Sequence, residues 1–411
     1  MNIGFVGLGK LGLPTALAVE SRGHRVVGCD PAESVRRTLR DRRLPYREAG
    51  AQELLERSRI ELLPLREVVN SSELVFVTIQ TPHEERFEGV TRLPQERRDF
   101  DYSFLRAGMS ELSGEIERCG SDRTVVLVST VLPGTLRREI QPLLGGRSRL
   151  CYNPFFVAMG TAVADFLAPE FVLFGCSDQS AADAAERFYR TIHGAPFYRT
   201  TMENAELIKV VYNTFISTKI AFANTVMELC HRLPGTDVDA VLGALRLGRD
   251  RIVSGKYLGG GMGDGGGCHP RDNIALSHLS RRLGASFDWF EAVMLQREKS
   301  TEWLADLVAR HAAGREVCIL GRSFKAESNL LIGSPALLLE NILEERGRRP
   351  FSWDPYLDDP AALPRGRPLC YFIATRHPDF RDFPFERGSV VLDPWRYVAV
   401  RDGVELIRIG A

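Results

Sequence analysis

Lysine is nearly absent from this 411-residue chain. Lys10, Lys209, Lys219, Lys256, Lys299 and Lys325 are all there is, and arginine carries the remaining positive charge. A compact ammonium does chemistry that a planar guanidinium does not replace, so Lys209 and Lys325 draw attention. Net charge is lacking too. Lys+Arg and Asp+Glu are 53 each, which leaves no electrostatic case for nucleic acid or an anionic membrane. No apolar run approaches the roughly 18 residues of a membrane span. The chain enters an apolar strand at Ile3-Gly4-Phe5-Val6, so no signal peptide is expected. Cysteine pairs of the CxxC type are missing: Cys29, Cys119, Cys151, Cys176, Cys230, Cys268, Cys318 and Cys370 are scattered. That pattern excludes a disulfide framework and a zinc site, predicts no metal, and points to a reduced cytoplasmic protein. All but Cys268 read as small core residues.

The hydrophobic share of 44% and charged share of 26% are ordinary for a globular protein, and the length predicts two to three domains. The first 30 residues read strand, turn, helix, strand. The turn Gly7-Leu8-Gly9-Lys10-Leu11-Gly12 is a G-x-G-x-x-G that follows a strand and opens a helix. Such glycines allow a tight turn and close approach of a pyrophosphate, and the helix N-terminus favours negative charge. The next strand ends in Asp30, 18 residues past Gly12, placed to accept from ribose hydroxyls and to repel a 2′-phosphate. NAD is therefore expected rather than NADP. Continuous apolar runs at Leu74–Ile79 and Thr124–Val128 predict buried parallel strands. They run into Gln80-Thr81-Pro82 and Ser129-Thr130, at strand ends where open α/β sheets bind ligands. A strand over 171–175 is expected to finish the domain by residue 198.

Apolar residues at helical spacing predict one long helix over 203–231, closed by Pro234-Gly235. Lys209 and Asn213 share one of its faces. More helices are expected from Asp272 to about His311. Strand signals at Arg315–Gly321, Pro350–Pro355, Leu369–Ala374 and Ser389–Asp393 then predict a second Rossmann-like unit without the G-x-G-x-x-G. Lys325 stands just past the first of these strands.

The stretch from Gly259 to Asp272 is the most unusual. Seven of the nine residues 259–267 are glycine, too many for a packed helix or strand. The run leads directly into Cys268, then His269-Pro270-Arg271-Asp272. A backbone that lets a ligand approach a thiol is the reading adopted.

Taken together, the motifs resemble the UDP-glucose/GDP-mannose (nucleotide-sugar) dehydrogenase family over essentially the whole chain. The residues that carry the resemblance are Gly7-Gly9-Gly12, Gln80-Thr81-Pro82, Ser129-Thr130-Val131 with Gly134-Thr135, and Asn153-Pro154. Further along come Ala205-Glu206-Leu207-Ile208-Lys209 with Asn213, Asp250-Arg251-Ile252, the glycine run into Cys268 with Pro270 and Asp272, Phe324-Lys325, and Ser334-Pro335. The resemblance implies an α/β protein of two Rossmann-like doubly wound domains joined by a long central helix and a helical middle domain. The expected boundaries are 1–198 for the NAD-binding domain, 199–311 for the central helical domain with the dimer interface, and 312–411 for the nucleotide-sugar-binding domain.

The same resemblance implies a four-electron oxidation at the sugar 6-position, with NAD as cofactor and a homodimer as the assembly. Cys268 would be the nucleophile, Lys209 and Asn213 would stabilise the oxyanion, Asp272 would organise water, and Thr130 would complete the catalytic set. Gly7, Gly9, Lys10, Leu11, Gly12, Asp30, Thr81, Pro82 and Thr130 would hold the cofactor. Phe155, Phe156, Val157, Lys209, Asn213, Arg251, Tyr257, Gly263, Gly265, Phe324 and Lys325 would hold the substrate.

This chain departs from the family pattern at the substrate. The usual Asn-Pro-Glu-Phe-Leu-x-Glu-Gly is here Asn153-Pro154-Phe155-Phe156-Val157-Ala158-Met159-Gly160, so both acids are gone. Losing a general base typically costs about 10²–10⁴-fold. Either Asp264, Glu206 or Asp272 activates water, or oxidation stops at the aldehyde, or the substrate is an atypical nucleotide-linked one. A non-catalytic nucleotide-binding paralogue is the reading of another class, and the retention of Cys268, Lys209, Asn213 and Asp272 argues against it.

Overall fold

A computed structural model of the protein describes residues 1–82, 99–254, 260–262, 268–329, 331 and 333–410; several helical side chains, Cys268 and Asp272 among them, lie outside the description. By its contacts the chain divides into two units, Met1–Ser217 and Thr218–Ala411.

The first unit is built on the strands β1 (Asn2–Val6), β2 (Arg25–Cys29), β3 (Glu61–Leu62), β4 (Leu74–Val77), β5 (Arg123–Leu127), β6 (Ser148–Tyr152), β7 (Val172–Gly175) and β8 (Phe197–Thr200). They form one sheet in the order β3-β2-β1-β4-β5-β6-β7-β8. Every pairing is parallel except β6 with β7. The first six strands follow the 3-2-1-4-5-6 order of a doubly wound dinucleotide fold, with a switch point between β1 and β4. Sequence reading anticipated β1, β2, β4, β5 and β7. It missed the two-residue β3, and it missed β6 and β8, whose short runs mix arginine and hydroxyl residues with apolar ones.

Helices α1 (Gly12–Ser21), α2 (Glu33–Asp41), α3 (Ala51–Arg57), α4 (Leu65–Ser71), α5 (Ser103–Cys119), α6 (Ala162–Leu167) and α7 (Gln179–Tyr189) cover the sheet. One core joins Leu13 and Leu17 of α1, Phe166 of α6 and Phe188 of α7 to Phe5 and Phe76. The other joins Leu65 and Val69 of α4, and Leu105, Met109 and Leu112 of α5, to Val75 and Val125. Alternate residues of β4 thus enter opposite cores, which is why the strand is apolar throughout.

The long helix α8 runs Met202–Arg232, matching the helical period read from the sequence. The second unit continues with α9 (Val238–Arg246), α10 (Cys268–Leu283), α11 (Trp289–Ala312) and α12 (Pro335–Glu345). Its strands β9 (Val317–Leu320), β10 (Phe351–Trp353), β11 (Cys370–Ile373), β12 (Val390–Asp393) and β13 (Glu405–Arg408) form an all-parallel sheet in the order β10-β9-β11-β12-β13. Leu304, Ala305 and Val308 of α11 pack with α12 on one face of it. The helix expected to begin at Asp272 begins at Cys268, the first residue of α10.

Candidate active site

The glycine turn between β1 and α1 has separable physical jobs. Gly7 takes φ +95, a region that disfavours side chains. Its N–H donates to the Cys29 carbonyl at 2.9 Å, and its carbonyl accepts from Thr78 Oγ1 at 2.6 Å. A Cβ on Gly12 would stand 2.3 Å from the Gly7 carbonyl oxygen, so the turn closes only around glycine there. A Cβ on Gly9 would meet no atom within 4 Å. Gly9 is therefore free of internal packing and lies on a cleft of about 1560 Å³ that Gly7, Lys10 and Leu11 also line. Helix α1 starts with no side-chain cap and no acid in its first turn, so its N-terminal dipole is left for an incoming anion.

Asp30 lies at the rim of the same cleft. Its Oδ2 accepts from Leu8 N–H at 2.7 Å and its Oδ1 from Ala32 N–H at 2.8 Å. Both bonds aim the carboxylate, and each oxygen keeps a lone pair for a hydroxyl donor. Across the cleft, Thr81 Oγ1 donates to the Thr130 carbonyl at 2.8 Å, and Ser129 Oγ donates to the Ile79 carbonyl. These bonds tie the loops after β4 and β5 together, and Thr81, Ser129 and Thr130 all line the cleft. Pro82 is not one of its lining residues. Its carbonyl accepts instead from Asp101 N–H at 2.9 Å.

Lys209 reaches this cleft from α8. It is buried, with Nζ donating to the Phe155 carbonyl at 2.7 Å and lying 5.2 Å from the Phe156 ring centroid. Burial lowers its pKa below the ordinary lysine value. Asn213 follows one turn later on α8 and is exposed.

Glu206, a turn before Lys209, is wholly buried. Its two oxygens accept from Gly134 N–H at 2.6 Å and Leu136 N–H at 2.7 Å. Burial pushes its carboxyl pKa up, against those two bonds. The expectation that Glu206 activates water is corrected: both its oxygens fasten the 134–136 turn to α8. The other two candidates for that role are not described here, since Asp264 lies outside the described residues, as does the side chain of Asp272.

The segment that lost its acids has also been repacked. The Phe155 side chain enters the core, 6.3 Å from the Phe76 ring and 5.5 Å from the Phe166 ring. Phe155 was expected to hold substrate; it does line the cleft, where its carbonyl accepts from Lys209. Phe156 packs on Phe171 at 4.8 Å and Tyr212 at 4.5 Å. Val157 and Met159 line the cleft, and Met159 is exposed. Glu48, unnoticed in the sequence, holds this turn, accepting from Gly160 N–H at 2.8 Å and Ala162 N–H at 2.6 Å.

In the second unit the turn after β9 repeats the one after β1. Gly321 takes φ +89 and donates to the Trp353 carbonyl at 2.8 Å. Asp354 Oδ2 accepts from Arg322 N–H at 2.7 Å, and Oδ1 from Tyr356 N–H at 2.9 Å. Gly7, Leu8, Asp30 and Ala32 thus correspond to Gly321, Arg322, Asp354 and Tyr356. The Asp-Pro pairs at 30–31 and 354–355 are the sequence trace of this repeat. The second acid differs in being enclosed. Asp354 and His377 are fully buried, with His377 Nε2 3.2 Å from Asp354 Oδ2 and 3.0 Å from Ser323 Oγ. His377 Nδ1 accepts from Glu327 N–H at 3.1 Å. Of the expected substrate residues here, Phe324 is half-buried and Lys325 exposed, with the Lys325 Nζ 5.5 Å from the Phe324 ring. Arg251 is exposed, while Tyr257, Gly263, Gly265 and the side chain of Cys268 lie outside the described residues.

A parallel doubly wound sheet, a glycine turn at an uncapped helix start and an acid at the next strand end define a dinucleotide-dependent α/β dehydrogenase. Residues 1–193 match the NAD binding domain of the UDP-glucose/GDP-mannose dehydrogenase family, and residues 203–297 match its central domain. The chain belongs to that family, and its cofactor is NAD. It is 28% identical to the UDP-glucose 6-dehydrogenase of Bacillus subtilis (strain 168), covering 90% of this chain and 79% of that one. It is 28% identical to the GDP-mannose 6-dehydrogenase of Pseudomonas aeruginosa, over 84% of this chain and 79% of that one. The fold matches a crystal structure of a ternary complex of GDP-mannose dehydrogenase from Pseudomonas aeruginosa, with a TM-score of 0.88, 24% identity and 99% of both chains covered. The open face of Gly9, the uncapped α1 and the aimed carboxylate of Asp30 fit NAD.

Proposed function

We propose that the protein oxidises the primary, C6-type alcohol of a nucleotide sugar to the acid through intermediates held on Cys268. NAD, when bound, accepts the hydrides, so that one alcohol, two NAD and one water give one carboxylate, two NADH and three protons. Gly7, Gly9, Lys10, Leu11 and Gly12 would cradle its pyrophosphate, Asp30 would accept from the ribose hydroxyls, and Thr81 and Thr130 would form the opposite border, with Pro82 behind them bonded to Asp101. The Cys268 thiolate adds to the aldehyde carbon, forming a C–S bond and a thiohemiacetal oxygen. A second oxidation leaves a thioester. Water then attacks the same carbon, the C–S bond breaks, the thiolate leaves, and Asp272 takes the proton. Lys209 and Asn213 donate to the oxygen on which charge develops, a contribution commonly worth roughly 3 kcal/mol per donor. Phe156, Val157, Arg251, Tyr257, Gly263, Gly265, Phe324 and Lys325 hold the nucleotide sugar.

The observation that carries this reading is Lys209, a buried amine on the cleft that the glycine turn also lines. Support also comes from the place of Cys268 at the start of α10, because a helix N-terminus favours a thiolate. The test is NADH formed per substrate consumed across UDP-, GDP- and ADP-sugars. Two NADH, abolished in Cys268→Ala, is expected. A Cys268→Ala variant with full activity would sink the covalent route.

The second reading, an oxidation that stops at the aldehyde, is favoured by the loss of both acids from the turn beside Lys209. Phe155 lies in the core, Met159 carries no charge, and Lys209 is bonded to a carbonyl. One NADH per substrate with unmodified Cys268 by intact mass identifies it.

A homodimer is supported by the exposed stripe Leu207, Val211 and Phe215 at one-turn spacing on α8. Light scattering on Val211→Asp tests it, with loss of the dimer expected.

A further inference from the structure

The glycine run is anchored in its middle. Met262 is buried among α11, α12 and the second sheet. Gly261 lies against the indole of Trp395: a Cβ on it would stand 2.1 Å from Cζ3 and 2.4 Å from Cε3 of that ring. Arg396 donates from Nη2 to the Gly260 carbonyl at 2.6 Å, and from Nη1 to the Ile409 carbonyl at 2.8 Å and to the Pro394 carbonyl.

The turn that carries these two residues is itself fixed. Asp393, fully buried, accepts from the N–H groups of Trp395, Tyr397 and Val398 at 2.9, 2.8 and 2.9 Å. Trp395 Nε1 donates to the Ile373 carbonyl, the last residue of β11, at 3.1 Å. Arg396 holds φ +59, a conformation costly for a residue with a side chain. It is sustained where three carbonyls converge on one guanidinium.

We propose that Trp395 and Arg396 are positioning residues that clamp Gly260–Met262 to the end of the second sheet and thereby set the path of the segment entering Cys268. The proposal rests on Cys268 as the nucleophile. Residues 263–267 are all that separate the clamp from the start of α10. A glycine chain samples far more backbone space than other sequences, and shortening its free length restricts what its end can reach. The clamp also shares an anchor with the proposed substrate turn. Thr375, two residues past β11, donates from Oγ1 to the Ser323 carbonyl at 2.6 Å. The thiol segment and the turn bearing Lys325 are thus both tied to the end of β11. This accounts for glycine at 261 on steric grounds and for Arg396 in a left-handed turn.

The test uses full-length protein with NAD. Arg396→Gly removes the guanidinium and keeps the backbone conformation easy. Gly261→Ala drives a Cβ into the indole. The readouts are the iodoacetamide alkylation rate of Cys268, mapped by mass spectrometry, together with kcat, NAD affinity and Tm. Both variants are expected to change the alkylation rate several-fold and to lower kcat by about 10²-fold, the cost of an ångström-scale misplacement, at unchanged NAD affinity. Gly261→Ala/Trp395→Ala is expected to be no worse than Trp395→Ala alone, because the collision partner is gone. Parental alkylation rates in both single variants overturn the proposal, whatever turnover does. Full turnover in Cys268→Ala overturns the nucleophile reading instead, and the alkylation comparison stands apart from it.

Discussion

At the scale of single residues, the second and third glycines of the first turn make opposite demands. Gly12→Ala places a Cβ 2.3 Å from the Gly7 carbonyl, while Gly9→Ala meets nothing within 4 Å. Gly12→Ala should lower Tm and lose NAD binding together. Gly9→Ala should keep the parental Tm and weaken NAD binding alone, as read by calorimetric titration. Lys209 poses a second residue-scale question. Burial holds its pKa below the ordinary 10.5, so between the folded and unfolded values the unfolded chain carries the extra proton and stability rises with pH. Lys209 therefore costs stability at neutral pH. Lys209→Met should be at least as stable as the parent there, with the difference narrowing as pH approaches 10.5, and should lose turnover. A Tm for the variant well below the parent's at neutral pH would show that the bond to the Phe155 carbonyl outweighs the cost of burial. The glycines and the lysine stood out in the sequence, but only the coordinates separate a glycine that must be small from one that faces a ligand.

At the scale of elements, α8 is held in place by an acid that sequence reading offered as one of three candidates to activate water. Glu206 accepts from Gly134 and Leu136 N–H groups while buried. Glu206→Ala leaves the buried Leu136 N–H and the half-buried Gly134 N–H without partners, a loss of about 3 kcal/mol at about 1–3 per donor. Its urea midpoint should fall accordingly. Glu206→Gln should recover part of that loss, since an amide oxygen accepts from one of the two. The helical period of α8 was readable because its apolar residues repeat at helical spacing. The role of Glu206 was not, because its partners lie some 70 residues earlier in the chain. The same holds for the loop ending at Gly160, which Glu48 secures across a separation of 112 residues.

At the scale of the whole molecule, two sheets carry the same turn with opposite outcomes. Asp30 stays at the rim of a cleft, whereas Asp354 is enclosed by Ser323, His377 and the chain on either side. One NAD per chain is therefore expected in calorimetric titration, and Asp354→Asn should leave its affinity unchanged. Burial alone would raise the Asp354 pKa. Hydrogen bonds from His377 and from the Ser323 and Arg322 N–H groups outweigh it and hold the carboxyl well below its ordinary 3.8. A depressed carboxyl stabilises the fold above the unfolded value, and the contribution is lost as pH falls through the folded one. Asp354→Asn should accordingly lower Tm at neutral pH, with the gap to the parent closing in acid. Equal Tm values at neutral pH would show that the network adds nothing.

The sequence by itself determined the class of protein. Apolar runs, a glycine turn and an acid at a strand end are local patterns, and local sterics and burial on both faces of a sheet leave few other folds for them. It also singled out Lys209 and the glycine run, because a scarce cation and a dense run of the least constrained residue are visible without coordinates. Only the tertiary structure decided what surrounds them. Phe155 turned its ring into the core and its carbonyl to Lys209, Glu206 became a fastening, Asp354 was shut away, and Trp395 came to lie on Gly261. Each of these outcomes depends on residues distant in sequence arriving at one place, and pairings of that kind are set by packing across the sheet rather than by any spacing along the chain.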